Sequence, residues 1–92
     1  MPSFDLGGAW DVDPQVALRP EPFGALAYHF GTRRLSFLKT RTLLAVVQAL
    51  ADQPTARAAC TRAGVTEPEM PSYTRALESL AASGMIRPRS GV

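Results

Sequence analysis

The side chains best suited to nucleophilic chemistry near neutral pH are Cys60 and His29, the single cysteine and the single histidine of the chain. A nucleophile and its base must converge to work together. The pattern instead sets Cys60 on the small-residue face of a helix and His29 on a strand. Cys60 reads as a buried small hydrophobe. His29, with no acidic or cysteine companions at ligand spacing, reads as a groove or surface histidine on a polar strand face. One His and one Cys cannot complete a structural zinc site, and Asp11-Val12-Asp13 lacks both the glycine and the distal glutamate of a calcium loop. Neither a GxGxxG run nor a Walker pattern occurs. These residues predict a protein that is not an enzyme and carries no cofactor and no metal.

The remaining chemistry is recognition. Arg33, Arg34, Lys39 and Arg41 crowd one short segment, where they can steer an acidic partner or keep an exposed strand from pairing with itself; charge alone does not separate the two. Over the whole chain ten basic residues are mixed with eight acidic ones for a net charge of +2, which is not the footprint of a nucleic-acid binder. Cys60 has no partner for an internal disulfide, in keeping with a reducing compartment. The N-terminus shows no basic patch followed by an apolar run, and the most apolar stretch, Leu43 to Ala51, is less than half a membrane span. The expectation is a soluble, cytoplasmic, one-domain protein with no membrane partner.

The elements that must position these groups follow from periodicity. Residues 1–14 hold glycines, aspartates and a proline without a period and read as a flexible arm. Phe4 and Trp10 on that arm imply that it docks, either on its own core or on a second copy of the chain to give a homodimer. Val16 and Leu18 alternate with Ala17 and Arg19 as a short first strand until Pro20-Glu21-Pro22. Gly31-Thr32 has the Gly-X form of a two-residue type II′ turn. That turn sets Tyr28 opposite Leu35, Leu26 opposite Phe37, Ala27 opposite Ser36 and His29 opposite Arg34. One face then collects Leu26, Tyr28, Phe30, Leu35 and Phe37 as the expected core side, leaving Ala27, His29, Arg34 and Ser36 on the other.

Beyond Lys39 the period becomes helical. Leu43, Val47 and Leu50 form a stripe, with Thr40 or Thr42 as cap and Asp52-Gln53-Pro54 as the stop. A second helix, Thr55 to Ala63, has the small face Ala56, Ala59, Cys60 and Ala63, ended by Gly64. Thr66-x-x-Glu69 is a capping-box pattern, and the third helix runs regularly from about Pro71 with Tyr73, Leu77 and Leu80 on its stripe and Gly84 as its end. Met85 and Ile86 make a last apolar contact. The fold class is therefore α+β and winged-helix-like: a three-stranded antiparallel sheet followed by three helices.

Two functions fit that outline. In a winged-helix DNA-binding regulator the third helix would enter the major groove, yet Glu67, Glu69 and Glu78 outnumber Arg75 there and would repel phosphates. In a peptide binder, the third strand is an open edge to which a partner adds a strand. Each backbone hydrogen bond nets only about 0.5–1.5 kcal/mol, whereas ordering each peptide residue costs about 1–2 kcal/mol. Side-chain anchors are therefore needed, and the cleft between the third strand and the third helix, lined by Tyr73 and Leu77, would supply them.

The run Val16 to Lys39 (VALRPEPFGALAYHFGTRRLSFLK), the apolar helix after it and the ending Leu77-x-x-Leu80…Gly84-Met85-Ile86 resemble the PqqD-like peptide chaperones, and among them those of the mycofactocin system. The resemblance covers about residues 14–89 and is most specific from Leu18 to Lys39. It implies a RiPP recognition element: residues 15–89 form the peptide-binding domain, 1–14 the arm and 90–92 a C-terminal tail. It further implies binding of the leader of a ribosomally made precursor peptide and its presentation to a radical SAM maturase, which holds the cofactors. The family's peptide site falls here on Arg33, Arg34, Leu35, Ser36, Phe37, Leu38 and Lys39 of the third strand, with Tyr73, Ala76 and Leu77 of the third helix.

Overall fold

The alternating segment from Val16 onward builds a three-stranded antiparallel meander. The computed structural model describes residues 4–89. The expected 90–92 tail and the first three residues of the expected arm lie outside the described residues. In chain order the elements are β1 (Trp10–Val12), β2 (Val16–Glu21), β3 (Gly24–His29), β4 (Leu35–Leu38), α1 (Arg41–Ala49), α2 (Ala56–Arg62), α3 (Met70–Ala82) and β5 (Ile86–Pro88). The sheet order is β2-β3-β4, and β1 with β5 forms a second, two-stranded sheet. The chain is thus α+β, with the three expected strands followed by the three expected helices.

The β3–β4 register agrees with the sequence reading: Tyr28 pairs with Leu35, Ala27 with Ser36 and Leu26 with Phe37. The turn differs. Instead of a two-residue turn, Phe30 to Arg33 form a four-residue loop in which the Arg33 N–H donates to the His29 carbonyl at 2.7 Å and the His29 N–H to the Arg34 carbonyl at 2.9 Å. Arg33 closes the loop in the left-handed region at φ 62°. His29 organises it: its buried ring accepts the Gly31 and Thr32 amides at Nδ1, both at 3.0 Å, while Nε2 lies 3.7 Å from Asp13 Oδ1. The histidine read as a groove or surface residue is therefore an internal brace of the hairpin tip.

The faces of the sheet are reversed from the expectation. Ala25 and Ala27 are buried beneath the helices and His29 within the hairpin tip, whereas Phe30, Leu35 and Phe37 are exposed and Leu26 and Tyr28 only half-buried. The reason is packing distance. Helix α1 brings Leu43, Val46 and Val47, followed by Leu50, onto the sheet. The small β3 side chains beneath let these branched residues fill the space at interior density.

Residues 4–14, read as a flexible arm that docks through Phe4 and Trp10, are built into the chain's own core. Trp10 is buried, its indole N–H donates to the Asp5 carbonyl at 2.8 Å, and its ring packs 4.9 Å from that of Phe4. The first amides of α2, which no helix can satisfy internally, donate to the arm: Ala56 N–H to the Gly8 carbonyl and Arg57 N–H to the Leu6 carbonyl, both at 2.9 Å. Arg89 closes the other side, its guanidinium donating to the carbonyls of Trp10, Leu50 and Gln53 at the end of the α1 segment. The apolar residues of the arm, Phe4, Leu6, Ala9, Trp10 and Val12, keep no single period, and its backbone fits vacancies elsewhere in the chain.

The helix boundaries follow the expected signals. Thr40 and Thr55 accept the amides of Leu43 and Ala58 at 2.9 and 3.0 Å. Helices α2 and α3 end alike, with Gly64 at φ 95° and Gly84 at φ 77°, while Val65 and Met85 donate back to the Cys60 and Leu80 carbonyls. Cys60 is fully buried, and burial pushes its thiol pKa up, with nearby Arg57 opposing the shift. It is a packing residue, as the sequence suggested. Among the described residues no group of three His, Cys, Asp or Glu side chains comes together as a metal site. No helix among them is long and apolar enough to cross a membrane.

Gly24 holds the β4–α1 junction close to β3: a methyl group there would stand 2.1 Å from the Leu38 carbonyl oxygen and 2.8 Å from that of Thr40. Gly24→Ala is expected to destabilise the fold by about 3 kcal/mol, the upper part of the overpacking range. A urea midpoint equal to the parent's would show that the junction yields.

Thr66 donates its N–H and its hydroxyl to the Glu69 carboxylate at 3.0 and 2.9 Å. The backbone bond foremost, and then the hydroxyl bond, hold the Glu69 pKa below its ordinary value of 4.5. Since the folded pKa is the lower one, this contribution is complete above pH 4.5 and disappears as pH falls through the folded value. The difference in melting temperature between the parent and Glu69→Gln should therefore be widest above that pH and shrink in acid. A difference that stays constant with pH would contradict the assignment.

Candidate functional site

Backbone geometry singles out one place where the sheet is incomplete. Because His29 and Arg34 are hydrogen-bonded partners, the antiparallel ladder alternates from there. The N–H and C=O groups of Leu35 and Phe37 therefore point away from β3, toward the open side of β4. The opposite edge, β2, is less receptive. Its Pro20 sits where the backbone points outward and has no N–H to offer.

Beside the open edge lies a groove of about 440 Å³ between β4 and α3. Leu43, Leu80 and Tyr73 give it an apolar lining, Phe37 borders it from the β4 edge with its ring on the outer sheet face against Phe23, and Ser36, Lys39, Thr40, Ser72, Ala76, Ser79 and Ser83 complete the lining. Thr40 joins three parts of the site: it follows β4, caps α1, and lies 3.3 Å from the Tyr73 hydroxyl through its own Oγ1. The α3 wall is low because Ser72, Ala76, Ser79 and Ser83 recur at helical spacing on one face. That stripe of small residues was legible in the sequence but hidden by attention to the apolar stripe beside it.

The residues nominated from the sequence divide into four groups. Ser36, Phe37, Lys39, Tyr73 and Ala76 line the groove. Leu35 contributes free backbone at the edge, and its side chain is exposed on the outer sheet face. Leu38 and Leu77 are fully buried core residues that do not face the groove, and Arg33 and Arg34 lie at the exposed hairpin tip beyond one end of it. Leu77 is drawn inward because it shares the buried stripe of α3 with Met70 and Leu80. Sequence reasoning missed Thr40, Leu43, Ser72, Ser79, Leu80 and Ser83 as lining residues.

The electrostatics are simple. Among the described residues Lys39 is the only cation in the groove lining, and the Arg33-Arg34 pair stands at the far end of β4. At about 3.4 Å per residue, Arg34 and Lys39 are roughly 17 Å apart along the strand. An extended segment of four or five residues would fit between them, with acidic groups favoured at both ends. Chemically, the site offers backbone pairing, an apolar trough and cationic ends.

Comparison with known proteins places the chain. The model of the peptide chaperone MftB family matches residues 9–87, from just before β1 into β5. Peptide chaperone MftB of Mycobacterium tuberculosis (strain ATCC 25618 / H37Rv) is 60% identical over 86 residues, covering 94% of this chain and 79% of that protein. The chaperone of the same name from Mycobacterium ulcerans (strain Agy99) is 58% identical over 87 residues, 95% of this chain and 80% of the relative. That from Mycolicibacterium smegmatis (strain ATCC 700084 / mc(2)155) is 54% identical over 86 residues, 94% and 84% of the two chains. No solved structure matches. On a family match spanning both sheets and all three helices, the chain belongs to the peptide chaperone MftB family.

Proposed function

We propose that this chain is a non-catalytic peptide chaperone of the cytoplasm. It takes the leader of a ribosomally synthesised precursor peptide, that of the mycofactocin system, as an added strand along β4 and presents it to a radical SAM maturase. The observation that carries the reading is the open edge at Leu35 and Phe37 running beside an apolar groove. Relatives at 54–60% identity are named peptide chaperones, which agrees with it.

Magnitudes explain why edge and groove are both needed. The two edge residues offer four backbone groups, a net gain of about 2–6 kcal/mol at about 0.5–1.5 each. Ordering four peptide residues costs about 4–8 kcal/mol, so pairing alone does not hold the peptide. Burying one large apolar side chain contributes about 1.5–3 kcal/mol. Two such anchors over Leu43, Tyr73 and Leu80 turn the balance favourable. Arg33, Arg34 and Lys39 then add attraction for acidic flanks, mainly in the rate of encounter. The DNA-binding alternative meets the acidic Glu67, Glu69 and Glu78, all exposed on the segment that would approach the phosphates.

Titration of the precursor peptide into the isolated protein should give a dissociation constant that rises at least tenfold in Phe37→Asp and in Tyr73→Ala, about 1.4 kcal/mol each. Arg34→Glu should weaken binding several-fold, with the loss fading as salt is raised. Undiminished affinity in all three folded variants would sink the groove. Anisotropy of labelled duplex DNA between 50 and 200 mM salt should show no association; steep, salt-sensitive binding would restore the regulator reading.

A further inference from the structure

The reversed sheet leaves large apolar side chains on the solvent side. Phe23, Phe30, Leu35 and Phe37 are 46%, 63%, 53% and 59% exposed. They are not scattered: Phe23 packs edge-on against Phe37 with centroids 6.3 Å apart, and Tyr28 against Phe30 at 5.2 Å. Leu26 and Leu35 share the face with them, through pairing with Phe37 and Tyr28. An apolar face of this kind on a monomer marks an interaction surface.

We propose that this outer face of the β2–β3–β4 sheet is a second docking surface, which receives a folded protein presenting an apolar patch bordered by carboxylates. The inference rests on the chaperone function above, under which that protein is the maturase to which the peptide is handed.

Charge selects the occupant. Between Val16 and Arg41 stand five cations, Arg19, Arg33, Arg34, Lys39 and Arg41, and one carboxylate, Glu21. Arg19 already holds Glu21 at 2.9 Å. Arg33 and Arg34 stand exposed at the hairpin tip next to Phe30, and Arg41 donates to the Pro22 carbonyl next to Phe23, so two copies packed face to face would bring these like charges together, whereas an acid-bordered protein would neutralise them.

Position supports the same choice. Leu35 and Phe37 offer their backbone to an added strand and their side chains to the outer face. Alternate side chains of a bound peptide would emerge beside them. A protein seated on the face would touch chaperone and peptide together. An anionic membrane would meet the same cations, but would turn those peptide side chains toward lipid.

The test uses Phe23 and Phe30, which lie outside the groove lining. Binding of the purified maturase to the full chain is measured by interferometry, with and without precursor peptide, for the parent, Phe30→Glu and the Phe23→Ser/Phe30→Ser double variant. Peptide affinity and melting temperature are measured in parallel. The expected result is at least tenfold weaker maturase binding in both variants, with peptide affinity within twofold of the parent and melting temperature unchanged. Equal maturase affinity in parent and variants overturns the proposal, as does a parent that does not bind the maturase at all. Loss of peptide affinity in folded variants overturns it by making the face part of the peptide site. Self-association in sedimentation, or binding to phosphatidylglycerol-containing vesicles, that the substitutions abolish would overturn it in favour of those occupants. Maturase binding through this face by a parent that does not bind the peptide would leave the docking surface standing while the chaperone function falls.

Discussion

Helix α1 can lie on the sheet because the β3 residues beneath it are Ala25 and Ala27. Interiors are packed to a fixed density, so the volume that β3 withholds must come from the helix, and Leu43, Val46 and Val47 provide it. Once α1 is seated there, the bulky alternate residues of β3 and β4 have no place inside and turn to solvent. The same seating leads the chain from β4 through Thr40 straight into the helix, so no later strand covers the β4 edge. The groove and the exposed aromatic face both descend from this one steric arrangement.

The chain ends secure that arrangement from a distance. The arm meets the unpaired amides of α2, and Arg89 gathers carbonyls from Trp10, Leu50 and Gln53. These contacts join the start of the domain, the end of α1 and the last strand into one unit, against which α3 is held through Leu77, Leu80 and Met85. The far wall of the groove is therefore fixed largely by residues outside its lining, with Leu80 serving both core and groove.

Local signals in the sequence translated well. The register of Tyr28 with Leu35 and of Leu26 with Phe37, the cap at Thr40, and the stops at Gly64 and Gly84 each depend on a few neighbouring residues, which the sequence states directly. Facing did not translate, because alternation defines two sides without saying which one the helices cover. Area burial alone favours covering Leu26, Tyr28 and Phe37; the packing of α1, a nonlocal fact, reverses it. The arm was legible in part: Phe4 and Trp10 announced that it docks but not where, because its seat also depends on backbone bonds to α2 and β5, and backbone groups leave no trace in residue identity. Of the groove, Phe37 and Tyr73 were visible, while Leu77 was misplaced because the buried and groove-facing stripes of α3 share Leu80.

The free N–H and C=O groups of Leu35 and Phe37 have an evolutionary consequence. Side-chain mutation cannot erase an amide, short of introducing proline. The capacity of β4 to accept a strand is therefore nearly immune to sequence drift, while the choice of strand is written in the changeable residues of the groove and its ends. A scaffold of this kind can follow a drifting peptide by small adjustments without losing its grip on peptides as a class.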